Sequence, residues 1–198
     1  MKPEQKPSLT VSQYIEAEKT SGVRHEFHAG QIYLLAGGPL NHGLLCGNVY
    51  SELRAKLAVS GSNCKALTSE VKLEIAQNGQ KGSFVYPDAM VICGDIEKSQ
   101  KDKNAVTNPA VIVEVLSRST ADYDRGDKFH LYRQIPTIQE YVLIEQHRAQ
   151  VEVYYKKPKV DLWQITRVEG LDSTLYLQSI DVKILLQDLY FDIDFESA

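Results

Sequence analysis

Glu114 lies within Val111-Ile112-Val113-Glu114-Val115-Leu116, an apolar run in which an ionised carboxylate is costly to bury without a counter-charge or a metal ion. Asp88 opens a second apolar run, Ala89-Met90-Val91-Ile92, and Pro87 before it fixes the chain direction at a strand start. Two adjacent strands can hold two such carboxylates side by side, where they repel until a divalent cation joins them. Hard oxygen donors of this kind suit Mg²⁺, with Mn²⁺ as a second candidate. Each residue also has a plainer explanation. A strand glutamate can pair with arginine or lysine, and Pro-Asp is a common turn element. The chemical reading rests on the pair.

The elements that must position these groups follow from local pattern. Val11 to Glu18 predicts a short helix capped by Thr10 or Ser12. Arg24–His28 and Gln31–Leu35, around Ala29-Gly30, predict a β-hairpin. Leu45, Val49, Leu53 and Leu57 recur every fourth residue and predict a helix from about Asn41 to Ala58, with Asn41 as cap and Gly61 as stop. His42 lies on the same stripe. Strands are expected at Lys65–Thr68, Val71–Ile75 and Phe84–Cys93, with an Asn78-Gly79 turn before the last. Gly94–Asn108 reads as a solvated loop, and Ala110–Leu116 as a central strand buried on both faces. A second helix is expected over Asp124–Gln134, ended by Pro136. Strands follow at Glu140–Glu145, Gln150–Lys156 and Leu162–Val168, while Ser173–Leu186 stays ambiguous. The order predicts an α+β domain with a mixed β-sheet flanked by helices.

Composition narrows the class. A chain of 198 residues, 43% hydrophobic and 24% charged, fits one domain spanning 1–198 around one core. No apolar stretch reaches the roughly 18 residues of a membrane helix, and the polar Met1–Thr10 segment, expected to be flexible, has no signal-peptide core. Cys46, Cys64 and Cys93 are odd in number and widely spaced, which reads as free thiols in a cytoplasmic protein. The net charge of −4 argues against a nucleic-acid coat protein but not against a nuclease, whose metal-binding carboxylates add negative charge.

Pro87-Asp88, then Glu114 in an apolar strand, then a lysine resembles the PD-(D/E)xK nuclease superfamily. Val113-Glu114-Val115-Leu116-Ser117, Asp124-Arg125-Gly126-Asp127-Lys128, Tyr132 and Glu140-Tyr141 are similar to one branch of it, the Uma-type restriction endonuclease family. The likeness includes His25-Glu26-Phe27-His28-Ala29-Gly30-Gln31-Ile32-Tyr33 and the helix opening at His42, so it runs from about Val11 to Asp192. It implies a restriction-endonuclease-like core over about 11–192, with an extra N-terminal hairpin and C-terminal strands. It also implies a Mg²⁺-dependent DNA endonuclease in which Asp88, Glu114 and Glu26 bind metal. In the superfamily the lysine stands two residues after the glutamate, where this chain has Leu116. In the Uma-type branch it stands on the following helix, which implies Lys128.

Bland readings compete at each added position. Lys128 could be a solvated lysine paired with Asp124 one turn earlier. Glu26 could pair with Arg24. His42 could be a packing histidine, or could orient a carboxylate or bind phosphate. Arg125 fits a phosphate contact or a surface charge equally well, and Tyr132 and Tyr141 read as core rings with satisfied hydroxyls. Substrate is expected over the C-terminal side of the Asp88 and Glu114 strands, and cutting both strands of a duplex implies a homodimer. A catalytically silent nucleic-acid-binding protein of the same fold is the alternative. A hydrolase of small phosphoesters is a third reading, with no glycine-rich phosphate loop to support it.

Overall fold

The computed structural model describes residues 8–35, 37–76, 82–118 and 120–195. The Asn78-Gly79 turn and residues 1–7 of the N-terminal segment lie outside them. Leu9 and Thr10 do not match the flexible segment expected there. The Leu9 N–H donates to the Gly30 carbonyl at 2.9 Å, and Thr10 closes a capping box with Gln13 on α1 (Val11–Thr20).

Strands β1 (His25–His28) and β2 (Gln31–Leu34) form the expected hairpin. Its two-residue turn takes Ala29 and Gly30 through positive φ, as the twist of a tight hairpin requires. Helix α2 (Leu40–Ser60) buries Leu45, Val49, Leu53 and Leu57, the stripe read from the sequence, and Gly61 ends it in the left-handed conformation. Pro39, not Asn41, precedes its first turn; the Asn41 side-chain amide instead donates to the Asp194 carbonyl.

Beyond α2 come β3 (Cys64–Thr68), β4 (Lys72–Ile75), β5 (Ser83–Val85), β6 (Ala89–Cys93), β7 (Ala105–Val106) and β8 (Val111–Leu116). The run expected as one strand over Phe84–Cys93 is two. It breaks at Tyr86-Pro87-Asp88, where the chain leaves a five-stranded sheet ordered β2-β1-β5-β4-β7 and enters a six-stranded one. Proline has no N–H to give a ladder, so the crossing falls there. The expected solvated loop at Gly94–Asn108 is also more structured than its charge suggested. It contributes β7, buries Ser99, and sets Asp102 2.9 Å from Lys72.

The next helical segment comprises α3 (Ala121–Tyr123), a wide π-helical turn over Asp124–Lys128, and α4 (Phe129–Tyr132). It thus begins three residues before the expected start and carries an irregular turn that periodicity does not show. It crosses over to β9 (Glu140–Glu145), which pairs parallel with β8. Strands β10 (Gln150–Lys156) and β11 (Trp163–Glu169) extend the sheet antiparallel, giving the order β11-β10-β9-β8-β6-β3. The ambiguous C-terminal region resolves into β12 (Thr174–Leu177), a 3₁₀ turn, β13 (Val182–Leu185) and α5 (Leu186–Leu189). This is the expected α+β arrangement with a mixed sheet flanked by helices.

The two faces of the six-stranded sheet carry different cores. Val111, Val113 and Val115 of β8 face α2 and the C-terminal hairpin, whereas Ile112 and Leu116 face Leu131, Tyr132 and Tyr141. Side chains alternate along a strand, so Glu114 shares the second face and looks toward the crossover helix. Leu53→Ala would leave a void at the centre of the first core, where Leu53 is fully buried. We expect a loss of about 2–5 kcal/mol, read as a lowered urea midpoint with an unchanged slope.

One expectation from the cysteines is corrected. Cys64 and Cys93 are not free thiols: they form a disulfide across β3 and β6. Their separation of 29 residues hides a register that sets them directly opposite each other. Cys46 alone is free. Among the described residues, no helix is long and apolar enough to cross a membrane.

Candidate active site

Strands β6 and β8 are antiparallel, with Ala89 opposite Val113. Asp88, just before β6, therefore comes level with Glu114. The two carboxylates meet at the N-terminal end of one strand and the C-terminal end of the other. The expectation of a shared C-terminal side was wrong, because antiparallel neighbours have none.

Asp88 Oδ2 accepts a 2.7 Å hydrogen bond from the Val115 N–H and lies 3.4 Å from His42 Nε2. Burial alone would raise its carboxyl pKa. The His42 hydrogen bond and charge, the Val115 N–H and Lys128 outweigh that and hold it below the usual carboxylate range. The same hydrogen bond to Asp88 raises the His42 imidazole above its ordinary value, against the effect of burial. Gly38 makes room for this histidine, since a Cβ there would stand 2.8 Å from the ring.

Glu114 is buried, and its Oε1 accepts from the Tyr132 hydroxyl at 2.5 Å and from Lys128 Nζ at 2.9 Å. Burial pushes its carboxyl well above the ordinary range, and Asp88 and Asp124 add to that push against the pull of Lys128. Lys128 Nζ also lies 3.7 Å from Glu26 and 3.7 Å from Asp124. Desolvation would drive its ammonium toward neutrality; the carboxylates of Glu114, Glu26 and Asp124 override this and keep it charged. Lys128 is only 7% exposed, so the solvated-helix reading does not describe it, although the Asp124 pairing exists within a larger network.

Glu26 is likewise buried, and Arg24 pairs with Glu70 instead. The Glu26 Oε1 accepts from the Tyr86 N–H at 3.1 Å, which ties β1 to the chain as it turns toward Asp88. A cleft of about 660 Å³ joins these groups, lined by Glu26, His42, Asp88, Glu114, Asp124 and Lys128 among others.

Asp124 and Tyr132 stand in the family pattern, but the sequence gives them no role in the site beyond a lysine partner and a core ring. Asp124 is buried in the cleft, and burial raises its carboxyl despite Lys128. The Tyr141 hydroxyl donates to the Asp124 carbonyl at 3.0 Å and pins the π turn to the sheet. Such a turn redirects side chains off regular helical spacing, and these turns are frequent at functional sites. The available signals were the family pattern itself and the spacing of Asp124 and Lys128, four residues apart.

Arg125 is not brought to the cleft. It reaches Glu152 at 3.2 Å and Glu145 at 3.7 Å, on β10 and β9. Adjacent positions on a helical turn point in different directions, so the Asp124 and Lys128 face cannot include it. Arg125→Ala should therefore cost stability, about 1 kcal/mol given its partial exposure beside the buried Glu152, and leave any cleavage rate within about twofold. Thermal melting and a nuclease assay on the same sample would check both halves.

A mixed sheet flanked by helices, with carboxyl groups gathered at the ends of two interior strands and a lysine delivered by the crossover helix, is an α+β fold of the restriction-endonuclease-like class. In fold it is similar to the crystal structure of "a putative nuclease belonging to DUF820" from Anabaena variabilis, with TM-score 0.71 and 16% identity over 92% of this chain and 97% of that one. Residues 11–185 match the Uma2 family, described as "Putative restriction endonuclease", and the chain belongs to that family. Two Synechocystis proteins, named uncharacterized proteins sll1609 and slr1290, are 36% and 32% identical to it. The first alignment covers 84% of this chain and 91% of the relative; the second covers 96% and 95%.

Proposed function

We propose that the chain is a divalent-metal-dependent endonuclease that hydrolyses DNA phosphodiester bonds in the Asp88–Glu114 cleft. The observation that carries this reading is the make-up of the cleft: Glu26, Glu114 and Asp124 surround the buried ammonium of Lys128, and Asp88 lines the same cleft. Four carboxyl groups beside one lysine leave the cleft with little positive charge to offer a phosphate. A small dication supplies the missing positive charge, and an all-oxygen donor set fits Mg²⁺ or Mn²⁺.

Asp88 and Glu114 would hold the ion, with Glu26 joining directly or through water. When bound, the ion acidifies water and neutralises charge growing on the scissile phosphate. Lys128 orients the attacking water and donates to the developing anion. Tyr132 fixes the Glu114 carboxylate, and His42 and the Val115 N–H fix Asp88, so that both acids are held before substrate arrives. Tyr33, Leu34 and Pro39 on the cleft lip offer apolar surface to sugars and bases. Cutting both strands of a duplex calls for two such sites, which a symmetric pair of copies would provide.

The direct test is incubation of the protein with supercoiled plasmid and with single-stranded DNA in Mg²⁺ or Mn²⁺. Nicking or linearisation that EDTA removes is expected. DNA binding with no cleavage under any metal would favour a silent protein of the same fold and sink the enzymatic reading.

A further inference from the structure

Beside Asp88 lies a second group of donors. His42 and Cys46 are four residues apart on α2 and therefore one turn apart on one face. Cys46 Sγ sits 3.5 Å from His42 Nδ1, and His42 Nε2 sits 3.4 Å from Asp88 Oδ2. One ring nitrogen, the sulfur and one carboxylate oxygen all lie within 4.8 Å of one another. A tetrahedral ion with bonds of about 2.0–2.3 Å holds its donors roughly 3.3–3.8 Å apart. Closing the widest separation by about 1 Å would seat such an ion between them.

This donor set differs in kind from the proposed hydrolytic one. Asp88, Glu114 and Glu26 offer only oxygen, which suits a hard cation. Sulfur and imidazole nitrogen prefer a borderline or soft cation over Mg²⁺. Cys46 is the one described cysteine with a thiol to give, because Cys64 and Cys93 hold each other.

We propose that His42, Cys46 and Asp88 form a binding site for a borderline divalent cation of the Zn²⁺ type, with solvent as fourth ligand. Binding breaks the Cys46 S–H bond, forms the metal–sulfur bond and releases the proton to solvent; the His42–Asp88 contact is exchanged for two metal bonds. Asp88 is common to this site and to the hard-metal site of the proposed function. Occupancy by Zn²⁺ therefore withdraws Asp88 from Glu114 and opposes Mg²⁺ binding. That consequence rests on the nuclease reading, whereas the binding itself does not.

Co²⁺ in place of Zn²⁺ reads the site without nucleic acid. Wild-type protein should give a thiolate-to-cobalt charge-transfer absorption. Cys46→Ser should lose it, and Cys64→Ser/Cys93→Ser should keep it. In chelator competition, Cys46→Ser should bind Zn²⁺ at least about tenfold more weakly. Should Cys46→Ser not fold, the wild type alone decides: Zn²⁺ should slow alkylation of Cys46, followed by mass spectrometry, at least about tenfold. No charge-transfer band in wild type, a band that survives Cys46→Ser, or alkylation indifferent to Zn²⁺ would overturn the site. None of these results bears on cleavage. Loss of Mg²⁺-dependent cleavage beside an intact cobalt spectrum would strike the nuclease reading alone.

Discussion

Asp88→Ala is expected to lower metal-dependent DNA cleavage roughly 10³-fold, above the 10–100-fold typical of losing a group that only supports a ligand. The proposed function makes Asp88 a ligand held in place by two partners, the Val115 N–H and His42. The substitution leaves the Val115 N–H without its acceptor, a cost of about 1–3 kcal/mol. It also removes one of the negative charges that press on Glu114. The two effects oppose each other, so the change in stability should be small beside the change in rate. Asp88→Asn separates them further, because its amide oxygen can still accept from Val115 while the charge is gone. Mn²⁺ titration calorimetry should show the affinity of both variants falling at least about tenfold, with near-native melting for Asp88→Asn. Cleavage by Asp88→Ala within threefold of wild type would remove Asp88 from the mechanism.

How much of this site was legible depends on what carried each residue. Glu114 could be found because a charge inside VIVEVL breaks an otherwise apolar run, and strand alternation then dictates which face it takes. Asp88 was visible through Pro87, but the pattern concealed that Pro87 also marks a change of sheet. The apolar residues on both sides of Tyr86-Pro87-Asp88 read as one strand, since burial in either sheet selects the same side chains. The α2 stripe was fully legible because one face of a long helix is buried against one sheet. Lys128 was reachable only through family likeness. Its burial depends on a π turn, which follows from tertiary contacts such as Tyr141 to Asp124 and not from local propensity. The Cys64–Cys93 bond and the place of Arg125 depend on register and on helix rotation, and neither leaves a trace in spacing along the chain.

Lys128→Met is the more discriminating substitution because it should move two measurements in opposite directions. The proposed role in charge stabilisation predicts a cleavage rate lower by about 10²–10³-fold. Metal affinity should not fall with it. The ammonium lies 2.9 Å from Glu114 and 3.7 Å from Glu26, so it competes with a dication for the same carboxylates. Methionine keeps much of the volume and removes the competitor, so Mn²⁺ should bind more tightly while turnover collapses. Metal-free stability should fall as well, by about 3–5 kcal/mol, since the buried acids lose their counter-charge. Added Mg²⁺ should restore part of that loss by supplying the charge again. A merely structural lysine would give the stability loss and weaker metal binding together, with cleavage recovering as Mg²⁺ refolds the protein. Tighter Mn²⁺ binding joined to a rate that saturating Mg²⁺ cannot restore is the result that assigns Lys128 to the chemical step, and full activity in Lys128→Met would withdraw it.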